Sequence, residues 1–164
     1  MSDLMKVQRR HIALIEKTRD ILIALLSEVS QETATTLRDP NDGEKGWTAL
    51  EVLCHLRDFD GYFRGRAEMM VALDNPSLPA YDHEAIALEK KYNEQTLSTV
   101  MDELIRSRQQ TLTFFKGLSD AEWNRAGMHP ENGPWSMHDA IMQVGHHDVT
   151  HIEQISRILV QFRK

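Results

Sequence analysis

The sequence predicts an all-α protein, a four-helix bundle with one long crossover connection. Three observations carry this reading. Four long segments repeat their apolar residues at helical spacing, each segment is closed by turn-forming residues, and no stretch of useful length alternates as a strand does. At 164 residues the chain is long enough for one full hydrophobic core and short for two, so one domain over 1–164 is expected.

The first segment, residues 4–37, places Leu14, Thr18, Ile21, Leu22, Leu25 and Val29 on one helical face. It stops before Asp39-Pro40-Asn41-Asp42-Gly43, a cluster that favours turns. The second helix opens at a capping box, in which Thr48 accepts from the backbone of Glu51 while the Glu51 carboxylate reaches back to Thr48. Its stripe of Ala49, Val52, Leu53, Leu56, Phe59, Phe63, Ala67 and Met70 runs to the breaker Asp74-Asn75-Pro76. A long connector follows to about Asn93, with a short helical piece at 83–91. Such a length lets the next helix lie parallel to the last. The third helix, 94–118, aligns Leu97, Val100, Met101, Leu104, Leu112 and Phe115. A short turn of helix at 119–122 and a loop with Gly127, Pro130, Gly133 and Pro134 precede the fourth helix. That helix opens at Ser136, runs to about Phe162 and turns Met137, Ala140, Ile141, Val144, Ile152, Ile155 and Leu159 inward.

Composition excludes several function classes. Acidic residues outnumber basic ones by 25 to 19, and the cations form no stripe, so nucleic acid is not an expected partner. No apolar run approaches a membrane span or a signal core, and the single cysteine, Cys54, fits a reducing compartment. A soluble, cytoplasmic protein acting on a small molecule is expected. Gly-rich phosphate loops, His-Glu-x-x-His and the Glu-x-x-His motifs of di-iron bundles are all missing.

Eight histidines are the notable excess. His147 and His151 stand one helical turn apart, about 40° apart in azimuth and about 6 Å apart along the axis, which is chelating geometry. Taking Val144 as the centre of the inner arc, His151 lies about 20° and His147 about 60° from it, while His146 points about 160° away and belongs in solvent. A lone inward histidine is ordinarily a hydrogen-bonded core residue. Two on one turn are costly in an apolar core unless they share a partner such as a metal. His55, at the edge of the second helix's stripe, is a third candidate ligand, or else a boundary histidine paired with Asp58. His11 and His83 have no partner at ligand spacing, and His129 and His138 read as surface or capping residues. Cys54 reads as a small buried side chain. Asp148 also falls within the inner arc, where it either orients a histidine or takes a proton at a metal, or bonds a polar group of another helix. Gln154, one turn past His151, is the other candidate for a catalytic role, orienting a water or a histidine N–H, or else a boundary glutamine with no such role. Arg57, Arg64 and Arg66 would favour an anionic thiol if they faced the site; a solvated helix face is their expected place.

Taken together, Trp47-Thr-x-x-Glu51-Val-Leu-x-His55-Leu-x-Asp58 and His147-x-x-x-His151-x-x-Gln154-Ile155 resemble the DinB-like (YfiT-like) superfamily of small metal-binding bundles. The resemblance spans about residues 47–157. It implies an up-down-down-up bundle in which His55, His147 and His151 hold one divalent ion, commonly zinc, nickel or iron. It also implies a frequent homodimer and, in part of the family, transfer of a low-molecular-weight thiol such as bacillithiol, mycothiol or glutathione. The expected function is a metal-dependent thiol transferase. A metal-dependent hydrolase is one alternative, and a non-catalytic metal-binding stress-response or interaction module is another.

Overall fold

Capping chemistry fixes where the helices begin in the computed structural model, which describes residues 3–163. Met1, Ser2 and Lys164, the ends of the expected 1–164 unit, lie outside the described residues. The chain forms α1 (Asp3–Leu26), the short α2 (Gln31–Thr36), α3 (Ala49–Ala72), the short α4 (His83–Glu89), α5 (Leu97–Gly117) and the single-turn α6 (Asp120–Trp123). A hairpin of β1 (Ala126–His129) and β2 (Gly133–Ser136) then leads into α7 (Met137–Leu159). Both halves of the Thr48–Glu51 capping box form, with Thr48 N–H donating to Glu51 Oε2 at 2.7 Å. A second box, Ser136 with Asp139, starts α7.

Two expectations change. The first segment is not one helix, because Ser30 Oγ accepts from Thr33 N–H at 3.1 Å and starts a separate short helix after a break at Leu26. A local side-chain bond here competes successfully with helix continuation. The inner face of α1 is accordingly set by Ile15, Thr18, Leu22 and Leu26. The second change is the hairpin, which four-residue strands are too short to announce by alternation. Gly133, at φ +72°, makes its turn. Met128 exchanges backbone hydrogen bonds with the connector, donating to Pro76 O and accepting from Leu78 N–H, both at 2.8 Å.

The four long helices pack with α3 beside α5 and α7, and α1 beside the same two. Helix directions follow from the pairs. Arg57–Glu103, Asp60–Ser107 and Arg64–Thr111 rise together, so α3 and α5 are parallel. Gln8–His138 and Thr18–Asp148 make α1 and α7 parallel. His55 meets His151 while Phe63 meets His147, so α3 and α7 are antiparallel. This is the up-down-down-up order, with the connector between α3 and α5 as the crossover.

The core has two apolar halves. Leu22, Leu26, Leu50, Leu53, Val100, Leu104 and Ile155 fill one; Ile15, Phe63, Leu112, Phe115, Ile141 and Val144 fill the other. Each such side chain contributes about 1.5–3 kcal/mol by leaving water. Between them lies a buried polar layer of Thr18, Asp60, Arg108 and Asp148. Among the described residues, no helix is long and apolar enough to cross a membrane.

Candidate metal centre

Because α3 and α7 run antiparallel and adjacent, His55 of α3 faces one turn of α7 that carries His147 and His151. One ring nitrogen from each histidine lies within 4.8 Å of the other two. Ring centroids are 4.7 Å apart for His55–His147 and His55–His151, and 4.5 Å for His147–His151. Trp47 and Phe59 enclose His55 at 5.1 and 4.2 Å, and Phe63 meets His147 at 5.0 Å. Burial among these rings, followed by the neighbouring histidines, pushes the His55 imidazolium down to about 3 and that of His147 well below its ordinary value. His151 is also lowered by burial, with Gln154 opposing. All three are neutral near pH 7, the form that offers a lone pair to a metal.

The donor set fits a divalent cation. His55 Nε2 and His147 Nε2 stand 2.7 Å apart, a contact in which at most one nitrogen can donate. His55 Nδ1 is buried with no hydrogen-bond partner among the described residues. Three converging imidazoles lack an electropositive centre, which is what an all-nitrogen site for zinc, nickel, copper or iron provides. Gln154 Oε1 lies 2.8 Å from His151 Nδ1. It can accept the Nδ1 proton and leave Nε2 unprotonated, the orienting contact that metal-binding histidines ordinarily have.

The other candidates separate clearly. Asp148 does not face the histidines' open side; it accepts from Arg108 Nη1 at 2.5 Å and Nη2 at 2.9 Å, and from Thr18 Oγ1 at 2.5 Å. Its place is the polar layer, where it bonds α5 and α1. Asp58 is not His55's partner, being taken by Arg57, Lys90 and Tyr92. His146 is exposed, as its azimuth requires. Cys54 is buried and its thiol is pushed up to about 12 by desolvation, so it is no nucleophile. His138 packs against Trp123 and Gln8, and His11 lies near it on α1.

Several residues lie where sequence reasoning did not put them. His83 stands at the mouth of the site, 6.1 Å from the His55 ring and exposed. His129 is buried rather than superficial: Nε2 accepts from Arg66 Nη1, so Nδ1 carries the ring proton, and Nδ1 stands beside the hairpin turn, 3.2 Å from the Asn132 side-chain amide. None of the three arginines lies on a plain solvated face. Arg57 pairs with Asp58 and Glu103, Arg64 donates to Ser107 O and Thr111 Oγ1, and Arg66 is buried. Asp60 and Arg108 are further buried residues, and their positions are legible in the sequence: Arg108 falls midway between Leu104 and Leu112, and Asp60 four residues after Leu56.

The histidines open onto a cleft of about 920 Å³ whose walls include Trp47, Phe59, Phe63, Tyr81 and Gln143. That volume suits a small organic molecule. The model of the DinB superfamily matches residues 14–155. The chain belongs to the DinB superfamily. Among solved structures, this DinB chain is similar to YfiT from Bacillus subtilis, a probable metal-dependent hydrolase with an unusual four-helix bundle topology. The two share 20% identity with a TM-score of 0.83, over 99% of this chain and 90% of YfiT. A mycothiol-dependent maleylpyruvate isomerase is similar at TM-score 0.76 and 11% identity, over 94% of this chain and 63% of the isomerase. An uncharacterized protein from Clostridium difficile 630 aligns at TM-score 0.69 and 15% identity, over 92% and 94% of the two chains. Identities this low speak to the fold alone. Among curated proteins, no sequence matches this one.

Proposed function

We propose that this DinB-superfamily chain is a metal-dependent enzyme of thiol-transferase type. His55, His147 and His151 hold one divalent ion, zinc, nickel or iron, and a small electrophile occupies the cleft beside it. The observation that carries this reading is the convergence of three neutral imidazoles from two helices at the wall of an open cleft. When bound, such an ion lowers the pKa of a thiol or water at its open position.

The chain's own residues do the rest. Gln154 orients His151 through Nδ1, and Trp47, Phe59 and Phe63 keep bulk water from the histidines and offer an apolar wall to the electrophile. In the transfer, the thiol loses its proton to solvent and its sulfur forms the new bond to the electrophilic carbon as the leaving group departs. A thiol is favoured over water because it starts from about 8.5, and because the buried carboxylates are committed to cations, Asp60 and Asp148 to Arg108 and Asp39 to Arg157. The fold shared with a mycothiol-dependent isomerase supports the same reading. YfiT's description as a probable metal-dependent hydrolase favours hydrolysis as the second reading.

The test is metal analysis of protein purified without a nickel column, combined with conjugation of glutathione or bacillithiol to monochlorobimane. Metal and conjugation are both expected to be lost in His151→Ala. Equal rates in that variant overturn the proposal, ester hydrolysis in thiol-free buffer selects the hydrolase, and metal without any turnover selects a non-catalytic module.

A further inference from the structure

Arg66 lies eleven positions after His55 on α3, which is about 16 Å along the axis and within about 20° of the same azimuth. Both side chains line one cleft, with Phe59 and Phe63 between them on the same helix. Arg66 is 5% exposed. Its Nε and Nη2 donate to Pro79 O at 3.1 and 2.6 Å, and its Nη1 donates to His129 Nε2 at 2.9 Å. The Tyr81 ring lies 5.0 Å from the guanidinium carbon and stacks on Tyr62 at 4.2 Å.

Those bonds use three of the guanidinium's five N–H groups and leave one on each Nη. The partners are a carbonyl and an imidazole that is neutral because it receives a proton donor on Nε2, so neither carries a counter-charge. Among the described residues, no carboxylate forms an ion pair with Arg66. A buried cation in that state is costly unless something anionic completes it. Burial weakens its hold on the proton, with Tyr81 and Glu131 only partly opposing.

We infer that Arg66, set by His129, Tyr81 and Pro79 O, is the anchor for the carboxylate of an elongated, largely apolar substrate whose reactive end lies at the histidines. Two N–H groups on adjacent nitrogens match the two oxygens of a carboxylate. Phe59, Phe63 and Tyr81 supply the surface for the apolar body. A monoanion is favoured over a phosphate dianion because the exposed residues around the cleft include Asp42, Glu84 and Glu131 against Lys45 alone. The inference builds on the proposed function only in placing chemistry at the far end; anion recognition at Arg66 stands or falls separately.

The probes are a series of ω-phenyl carboxylates of increasing chain length, each with its primary amide and its phosphonate, titrated by calorimetry into metal-loaded protein. Carboxylates are expected to bind about 10- to 100-fold more tightly than their amides, the range for a hydrogen-bonded charged group. In Arg66→Met, which keeps most of the side-chain volume, that ratio should fall to near one while metal content is unchanged. A purely structural Arg66 would lower stability in this variant and leave the ratio intact. Equal binding of carboxylate and amide by the wild type overturns the inference. So does a ratio that survives in Arg66→Met, because the carboxylate would then sit at the histidines. Tighter binding of the phosphonate overturns the monoanion assignment. Should Arg66→Met fail to fold, the Arg66 Nε–H resonance of the wild type decides: it must shift with the carboxylate and stay still with the amide.

Discussion

Arg108 of α5 grips Asp148 of α7 with both Nη atoms, at 2.5 and 2.9 Å, and its Nε donates to Asp60 of α3 at 2.6 Å. Thr18 of α1 completes the layer by donating to Asp148. One side chain, at 1% exposure, thus ties α5 to α3 and α7, and reaches α1 both through the shared carboxylate and through Nη1, which donates to Ile15 O at 3.5 Å. Asp148→Ala removes half of the compensation and leaves a buried guanidinium partly unpaired. The expected loss is about 3–5 kcal/mol in urea unfolding, and replacing Arg108, Asp60 and Asp148 together by apolar residues should cost less than the single change. Because Arg108 acts on His147 and Asp148 on His151, the unbalanced guanidinium should also weaken metal binding in the folded fraction, read by competition with a chelator.

Gln154 gives a different signature. Gln154→Leu removes the acceptor for His151 Nδ1 without opening a cavity. Metal affinity, read by competition with a chelator, should fall about 10- to 100-fold. Because Gln154 also bonds the buried Asp39 carboxylate, the metal-free protein should lose about 1 kcal/mol in urea unfolding.

Acid stability depends on the pair between Asp39 and Arg157. Arg157 donates to both carboxylate oxygens, at 2.9 and 2.7 Å, and holds the buried Asp39 down to about 2 from 3.8. The folded state therefore binds fewer protons than the unfolded chain between these values, so the pair's contribution is complete above about pH 4 and is lost as pH falls toward 2. Thermal unfolding of wild type and Arg157→Ala should differ most at neutral pH, with the gap closing over that interval. A gap that persists unchanged at pH 2 would refute the assignment.

Gly46 packs directly on the same loop. A Cβ there would lie 2.4 Å from Asp39 O, a backbone atom that cannot rotate away. Gly46→Ala should cost about 1–3 kcal/mol, and because Trp47 follows immediately, fluorescence of the site wall should shift with it.

The four long helices were legible because their apolar spacing and caps agree. The pair His147 and His151, and the exclusion of His146, followed from azimuth alone. What periodicity could not supply was which helices are neighbours, and His55 joined the pair only through the family resemblance. Arg66 illustrates a different blindness. Its azimuth places it under His55, yet an arginine on a bundle helix ordinarily belongs to solvent, and the connector and hairpin that bury it carry no periodic signal. The azimuth of Asp148 points it inward, but nothing in the sequence marks its partner Arg108, for the same reason: a charged residue in an apolar stripe looks like a gap until the opposite charge is found.

Both parallel pairs, α3 with α5 and α1 with α7, join segments that are distant in sequence. In an up-down-up-down bundle each helix can zip onto its predecessor through a short loop, whereas here α3 and α5 meet only after the connector 73–96 has crossed the molecule, and the larger face of α1 is covered only when the last helix forms. Closing such loops costs chain entropy before any packing repays it. This bundle should therefore fold more slowly than an up-down-up-down bundle of equal length, with the histidine face, built from α3 and the final helix, among the last surfaces to form.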